Sequence, residues 1–226
     1  LEKIVDHYAK YGVKRFSIVH YDDVVGKENF TAVDRALKER NLAAVSIAAL
    51  KDRVTPVSQP DVNAVLKGDP QVIILTTLYK ATSDFIKMAR KAGSTAQMVS
   101  NSFPGSTPLS RELGKDGVGV VIAQVVPSPF SAGAVLIVPE YRAAIEKLLG
   151  KPEYSFTSLE SFIAAKVTVE AIRRAGAVRA TAAVAGPPGP SSYPVRVTFD
   201  DLAATGIETG GVTNTAPVVD TVTIAP

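Results

Sequence analysis

Val72-Ile73-Ile74-Leu75, running into Thr76-Thr77-Leu78-Tyr79 and then a helical pattern closed by Gly93, decides the fold class. Successive side chains of a strand point to opposite faces, so an unbroken aliphatic run requires cover on both faces. That is the requirement of a parallel sheet with helices packed above and below it. Phe85, Met88, Ala89 and Ala92 then recur at helical spacing. Thr82 is placed to cap that helix and Gly93 to stop it. Strand, short polar loop and amphipathic helix form half of a βαβ unit.

The same unit repeats on both sides. Upstream, residues 1–11 carry Ile4, Val5, Tyr8 and Tyr11 on one helical face before Gly12. Arg15-Phe16-Ser17-Ile18-Val19-His20 is a buried-type strand, residues 28–40 a helix, residues 43–49 a second strand, and Asp61 caps a short helix through Val65. Downstream, Gln97-Met98-Val99 makes a fourth strand, and Pro108 opens a helix ending at Gly114. Residues 119–126 form a further apolar strand, followed by Pro127, Pro129 and Gly133. Pro139 starts another helix, and Thr157-Ser158-Leu159-Glu160 has the form of a capping box opening a long helix to Ala175. Alternation of this kind predicts right-handed βαβ units and a doubly wound α/β sheet. Beyond Gly176 the texture changes. Residues 185–192 are rich in Gly, Pro and Ser and read as a linker, and strands are expected at 195–198 and 221–224.

Composition narrows the class. The 226 residues are 46% hydrophobic and 21% charged, the mix of an ordinary globular protein. There is no cysteine, which removes thiol catalysis, disulfides and zinc–cysteine sites. The net charge of +3 is spread over Lys14-Arg15, Lys38 to Arg40, Lys87 to Lys91 and Arg173-Arg174 rather than gathered into a stripe, so no nucleic-acid partner is expected. No apolar run is long enough to span a bilayer. Residue 1 opens directly into a helix without a leader, and an exported protein is therefore expected here in mature or trimmed form.

Catalytic chemistry is hard to assemble from these residues. Of the two histidines, His7 reads as a surface residue and His20, at a strand end, as structural or a pocket wall. No Gly-x-Ser-x-Gly elbow occurs. Asp22-Asp23 is the only close carboxylate pair apart from the weaker Asp200-Asp201, and adjacent loop carboxylates rarely chelate unaided. Gly26-Lys27 lacks the upstream glycine of a phosphate loop, and Gly117-Val118-Gly119 precedes a strand rather than linking strand to helix. No catalytic residue, metal or cofactor is assigned.

In open α/β sheets ligands lie beyond the carboxyl ends of the strands. The rule selects residues 20–26, 50–55, 76–79 and 100–103, which bear hydroxyl, amide and aromatic groups suited to a small polar ligand. The plainer reading of each is a βα loop whose polar residues cap the next helix.

The residues from Lys14 to Lys27, with Tyr21-Asp22-Asp23 and Gly26-Lys27, resemble a strand and loop of type I periplasmic binding proteins. The nearest subgroup is the branched-chain amino-acid-binding family of extracellular ligand-binding receptors. Four further stretches fall in that family's order: 69–74, 85–93, 117–127 and 154–176. The resemblance covers roughly residues 1–176 and is poor from Ala177 onward.

The resemblance implies two doubly wound lobes joined by crossovers, with a ligand clamped between them. It assigns residues 1–117 to the second lobe, 118–185 to crossover and helices of the first, and 186–226 to a linker and strands returning to the second. The N-terminal part of the first lobe is expected to be missing, which would leave apolar surface on residues 126–185 exposed or buried by another chain. The implied function is a non-catalytic solute receptor of an ABC importer, periplasmic or extracellular. It would take an amino acid or related small organic acid and deliver it to a membrane permease. The alternative is a ligand-sensing domain of a receptor or transcription regulator with the same fold. Ligand-binding positions carried over by the resemblance are Tyr21, Val25, Thr76, Thr77, Tyr79, Asn101, Ser102, Phe103 and Phe156. At Val25 relatives often have an aromatic residue, so stacking at that point is in doubt. Glu160 is explained adequately by its capping position.

Overall fold

In the computed structural model, strand β1 (Phe16–Tyr21) is buried along its whole length and lies inside a five-stranded sheet. The structure describes residues 1–131, 135–175, 180–184, 193–199 and 219–224. The other strands of this sheet are β2 (Ala44–Leu50), β3 (Val72–Leu75), β4 (Gln97–Ser100) and β5 (Val121–Ile122). Their order is β2-β1-β3-β4-β5 and every pairing is parallel. Ile18 stands opposite Ile74, and Ile74 opposite Val99. The aliphatic run at 72–75 is therefore a central strand covered on both faces, as its composition requires.

Two apolar cores flank the sheet. On one face Ile4 and Val5 of α1 (Glu2–Lys10) and Val33, Ala36 and Leu37 of α2 (Val24–Lys38) pack on Phe16, Ile18 and Ile74. On the other, α3 (Gln59–Leu66), α4 (Tyr79–Lys91) and α5 (Ser106–Leu113) bring Val62, Phe85, Ile86 and Leu109 onto Val19, Ile73, Leu75 and Met98. Burying one such side chain contributes about 1.5–3 kcal/mol, which makes these two layers the main source of stability.

Several helix ends lie elsewhere than the sequence pattern places them. The helix expected from residue 28 begins at Val24, because the Asp23 carboxylate caps it by accepting from the Gly26 amide at 2.7 Å. Gly26 is obligatory there: a Cβ would stand 2.0 Å from the Tyr21 carbonyl oxygen. Helix α3 starts at Gln59 with Ser58 as N-cap, and Asp61 closes the capping box from the third position. Helix α4 starts three residues before Thr82, whose hydroxyl turns back to Thr77. Strand β5 has two residues rather than the eight expected.

Helix α6 (Ile137–Leu149) is followed by α7 (Phe156–Ala175). The capping box expected at Thr157 does not form, since Thr157 already lies in the first turn. Ser155 caps instead, its hydroxyl accepting from the Ser158 amide at 3.1 Å and its carbonyl from the Leu159 amide at 3.1 Å. The buried Tyr141 hydroxyl accepts from the Ser155 amide at 3.0 Å, tying α6 to this cap. Phe130, Leu136, Leu148, Val167 and Val169 are all largely exposed.

The chain divides into two compact units, residues 1–160 and residues 161–226. The second holds most of α7 and an antiparallel sheet in the order β6 (Ala180–Val184), β7 (Tyr193–Phe199), β8 (Val219–Ile224). Strands β7 and β8 contain the segments expected at 195–198 and 221–224, while β6 was not foreseen. Gly176, the linker expected at 185–192, and Asp200-Asp201 lie outside the described residues.

Candidate functional site

The sheet order turns back at β1, which has β2 on one side and β3 on the other, both parallel to it. Helix α2 lies on one face of the sheet, and α3 and α4 on the other. In doubly wound sheets of this order, the loops leaving such a pair diverge to opposite faces and open a crevice at the strand ends. The loops after β1 and β3 therefore mark the place where a ligand is expected.

Tyr21 closes the base of this crevice. Its ring is buried, and its hydroxyl accepts from the Leu78 amide at 3.2 Å across the divergence. Burial pushes the Tyr21 hydroxyl above its ordinary pKa of 10.0, so it remains a neutral phenol. Next in sequence, Asp22 pairs with Lys27 at 2.7 Å and Asp23 caps α2. With both carboxylates held by protein partners, the close pair noted in the sequence is not a chelating pair. Among the described residues no group of three or more His, Asp or Glu stands ready for a metal.

Thr76 and Thr77 follow β3 but present nothing to the crevice through their side chains. Both are fully buried; the Thr76 hydroxyl donates to the Val19 carbonyl at 3.2 Å, and the Thr77 hydroxyl pairs with Thr82 at 2.8 Å. The Thr76 hydroxyl thus ties the end of β3 to β1, and the Thr77 hydroxyl ties it to α4. Tyr79, by contrast, is 43% exposed, and Val25 in the first turn of α2 is 41% exposed.

The loop after β4 supplies the remaining wall. Asn101 and Ser102 are half-buried and shape the turn, the Asn101 carboxamide oxygen accepting from the Phe103 amide at 3.3 Å. The Ser102 carbonyl accepts from Gly105, which sits at φ +71° where a side chain would be strained. Phe103 is 41% exposed. Phe156 is half-buried and meets Phe130 edge-on at 6.0 Å between ring centroids. It has no ring contact with Tyr21 or Phe103 among the described residues.

The residue that joins these loops is Arg53, which sequence reasoning missed. It stands between β2 and α3, where Asp52 organises the turn by accepting from the Val54 and Thr55 amides at 2.9 and 2.6 Å. The Arg53 guanidinium carbon lies 5.6 Å from the Tyr21 ring centroid and 5.7 Å from that of Phe103. Its Nε donates to Asp23 at 2.8 Å. These contacts hold Asp23 below its ordinary pKa, first through the Arg53 hydrogen bond and then through the Gly26 amide. The segment 50–55 was selected by the strand-end rule, but nothing in it singles out Arg53. Its partners come from loops roughly thirty and fifty residues away.

Arg53 and Phe103 meet at the rim, and Tyr79 and Val25 are exposed at the starts of α4 and α2, the helices that follow β3 and β1. This set suits recognition of a small molecule. His20 is buried, with Nδ1 2.8 Å from the Tyr21 carbonyl oxygen and its ring stacked on Phe30 at 5.1 Å, so its role is structural. His7 is exposed on α1 beside Tyr8 and Tyr11.

Comparison with known proteins agrees with the fold. The sequence profile described as periplasmic binding protein matches residues 1–210. A substrate-binding periplasmic protein from Ralstonia solanacearum superposes with a TM-score of 0.68 at 32% identity, over 78% of this chain and 50% of the other. A possible leucine/isoleucine/valine-binding protein from Rhodopirellula baltica does so with a TM-score of 0.69 at 27% identity, over 76% and 47%. An extracellular ligand-binding receptor from Rhodopseudomonas palustris shares the fold with a TM-score of 0.67 at 20% identity, over 77% and 50%. The chain thus spans about half the length of these solved structures. No curated protein matches it.

Proposed function

The chain belongs to the periplasmic binding protein family, and from that premise we propose that it supplies one ligand-contacting lobe of a solute receptor serving an ABC importer. The observation that carries the reading is the rim at the β1/β3 divergence. There, the Arg53 guanidinium lies between the buried ring of Tyr21 and the partly exposed ring of Phe103, while the Thr77 hydroxyl is held by Thr82. Residues 1–117 contain every element of that rim and form the lobe in this proposal. A second lobe closes over the solute by hinge motion and excludes water from it. The solute is an amino acid or a related small organic acid. The resemblance to a possible leucine/isoleucine/valine-binding protein at 27% identity supports that class. The receptor works in the periplasm or outside the cell and hands its solute to a membrane permease.

Thermal unfolding of the full-length protein against a panel of amino acids and small organic acids tests the proposal. A ligand that binds only the folded state adds about 2.7 kcal/mol of stability at a hundredfold excess over its dissociation constant. A raised midpoint with one chemical class supports the receptor reading. A flat response across the panel refutes it for this class of solute.

A further inference from the structure

We propose that Arg53 is the anchor for the carboxylate of the solute, whose apolar body then lies against Phe103. The inference rests on the receptor reading above and narrows it to monocarboxylates with an aliphatic or aryl body. Three observations carry it. First, Arg53 is fixed from one side only. Its Nε donates to Asp23, whereas among the described residues Nη1 and Nη2 have no acceptor. The side chain remains 39% exposed. The free edge of a guanidinium offers two parallel N–H groups, which match the two oxygens of one carboxylate.

Second, the guanidinium is pre-positioned. The rings of Tyr21 and Phe103, 5.6 and 5.7 Å from its central carbon, limit its swing, and the Asp52 turn holds its backbone. A cation held before the ligand arrives loses little further freedom on binding. Third, the neighbouring carboxylates do not compete for that edge. Asp23 is occupied by Gly26 and by Nε, at the end of α2 where the helix dipole favours negative charge. Asp52 is occupied by the amides of Val54 and Thr55 and by the Thr55 hydroxyl. A carboxylate arriving end-on meets the guanidinium with the partly exposed ring of Phe103 beside it, and that ring fits an apolar substituent.

The test is calorimetric titration of the full-length protein with benzoate, phenylacetate, isovalerate and L-leucine, each paired with its primary amide. At least one acid is expected to bind about 10–100-fold more tightly than its amide, the range of one charge-assisted bidentate contact. Arg53→Gln is expected to abolish that discrimination while leaving the amide's affinity in place. Arg53→Lys is expected to fall between, because an ammonium keeps the charge but not the fork. Lys27→Gln, which breaks only the Asp22 pair on the same helix end, should leave the discrimination intact. Equal binding of acid and amide by the unaltered protein overturns the anchor, even if Arg53→Gln does not fold. Discrimination that survives in a folded Arg53→Gln protein overturns it too. In both cases solute binding itself persists and the receptor reading stands. If none of the eight compounds binds, the anchor falls, and the broader thermal panel decides the receptor reading separately.

Discussion

The Tyr21 hydroxyl accepts a hydrogen bond from the Leu78 amide at 3.2 Å, joining the end of β1 to the residue that caps α4. This bond crosses the point where the sheet order turns back, so it sets the spacing between the two loops that frame the crevice. It also fixes the residue immediately before Tyr79, which is exposed at the start of α4. Tyr21→Phe keeps the buried ring and removes the acceptor. Leaving a partly buried amide unpaired costs about 1–3 kcal/mol. The expected result is a lower unfolding midpoint with an unchanged denaturant slope, measured by urea titration and circular dichroism. An unchanged midpoint would show that water replaces the phenol without cost.

Gly26→Ala tests the closest approach in the fold. The added methyl would stand 2.0 Å from the Tyr21 carbonyl oxygen and 2.7 Å from its carbon, both backbone atoms that cannot swing aside. Helix α2 would have to lift from the strand end, carrying the Asp23 cap with it. Overpacking of this severity costs at least about 2 kcal/mol. In a chain of this size that corresponds to a midpoint lower by roughly 4–8 °C. Gly12→Ala is the contrast: nothing lies within 4 Å of its Cβ position, and only the positive φ opposes it. Its loss should be smaller, about 1 kcal/mol.

The pH dependence of the rim follows from Asp23. Its carboxyl is held below the ordinary value of 3.8, chiefly by the Arg53 hydrogen bond and next by the Gly26 amide. A group whose pKa is lower in the folded state than in the unfolded one binds its proton more weakly when folded. Its stabilising contribution is therefore complete above 3.8 and is lost as the pH falls through the lowered value. Asn still caps a helix but forms no ion pair. The midpoint difference between the natural protein and Asp23→Asn is expected to be constant from about pH 7 to pH 5 and to shrink below 3.8. A difference that grows on acidification would contradict the sign of the shift.

The cap of α7 distinguishes two readings of one sequence motif. Thr157-Ser158-Leu159-Glu160 has the spacing of a capping box, yet Ser155 occupies the cap because the Tyr141 hydroxyl receives its amide and holds it there. Ser155→Ala is expected to cost about 1 kcal/mol, the usual loss at an N-cap. Thr157→Ala, within the first turn, should cost clearly less. Thermal unfolding of the two variants side by side checks the order; a larger loss at Thr157 would restore the sequence reading.

How much was legible follows from which interactions are local. Strands β1, β2, β3 and β4 were located within one or two residues, because a continuous aliphatic run such as 72–75 has few alternatives to a buried parallel strand. Helix starts were less legible. Asp23, Ser58 and Ser155 each cap a helix earlier than the apolar pattern suggests, since side-chain capping depends on the incoming backbone rather than on periodicity. At the candidate site, the strand-end rule selected four loops, but the sequence did not reveal the direction of their hydroxyls: Thr76 and Thr77 are buried. Arg53 was invisible for the opposite reason. A single arginine in a loop carries no local pattern, and its meaning comes from Tyr21, Asp23 and Phe103 arriving from two other loops.

A last prediction concerns a part-buried polar link between β1, β2 and α3. The Ser17 hydroxyl on β1 lies 2.5 Å from the Ser46 hydroxyl on β2, and Ser46 donates onward to the Val65 carbonyl of α3 at 2.6 Å. Since Ser46 gives its proton to Val65, Ser17 is the donor between the two hydroxyls. Removing Ser46 therefore strands the fully buried Ser17 hydroxyl, whereas removing Ser17 leaves the Ser46–Val65 bond intact. The Val65 carbonyl retains the Gly68 amide at 3.3 Å in either case. Ser46→Ala should thus cost about 1–3 kcal/mol and Ser17→Ala clearly less. The double variant has no stranded hydroxyl and should be no less stable than Ser46→Ala alone. Such non-additivity is the signature of a shared partner. Urea unfolding of the four proteins measures it; strictly additive losses would mean the hydroxyls act independently and the chain of donors is not as drawn.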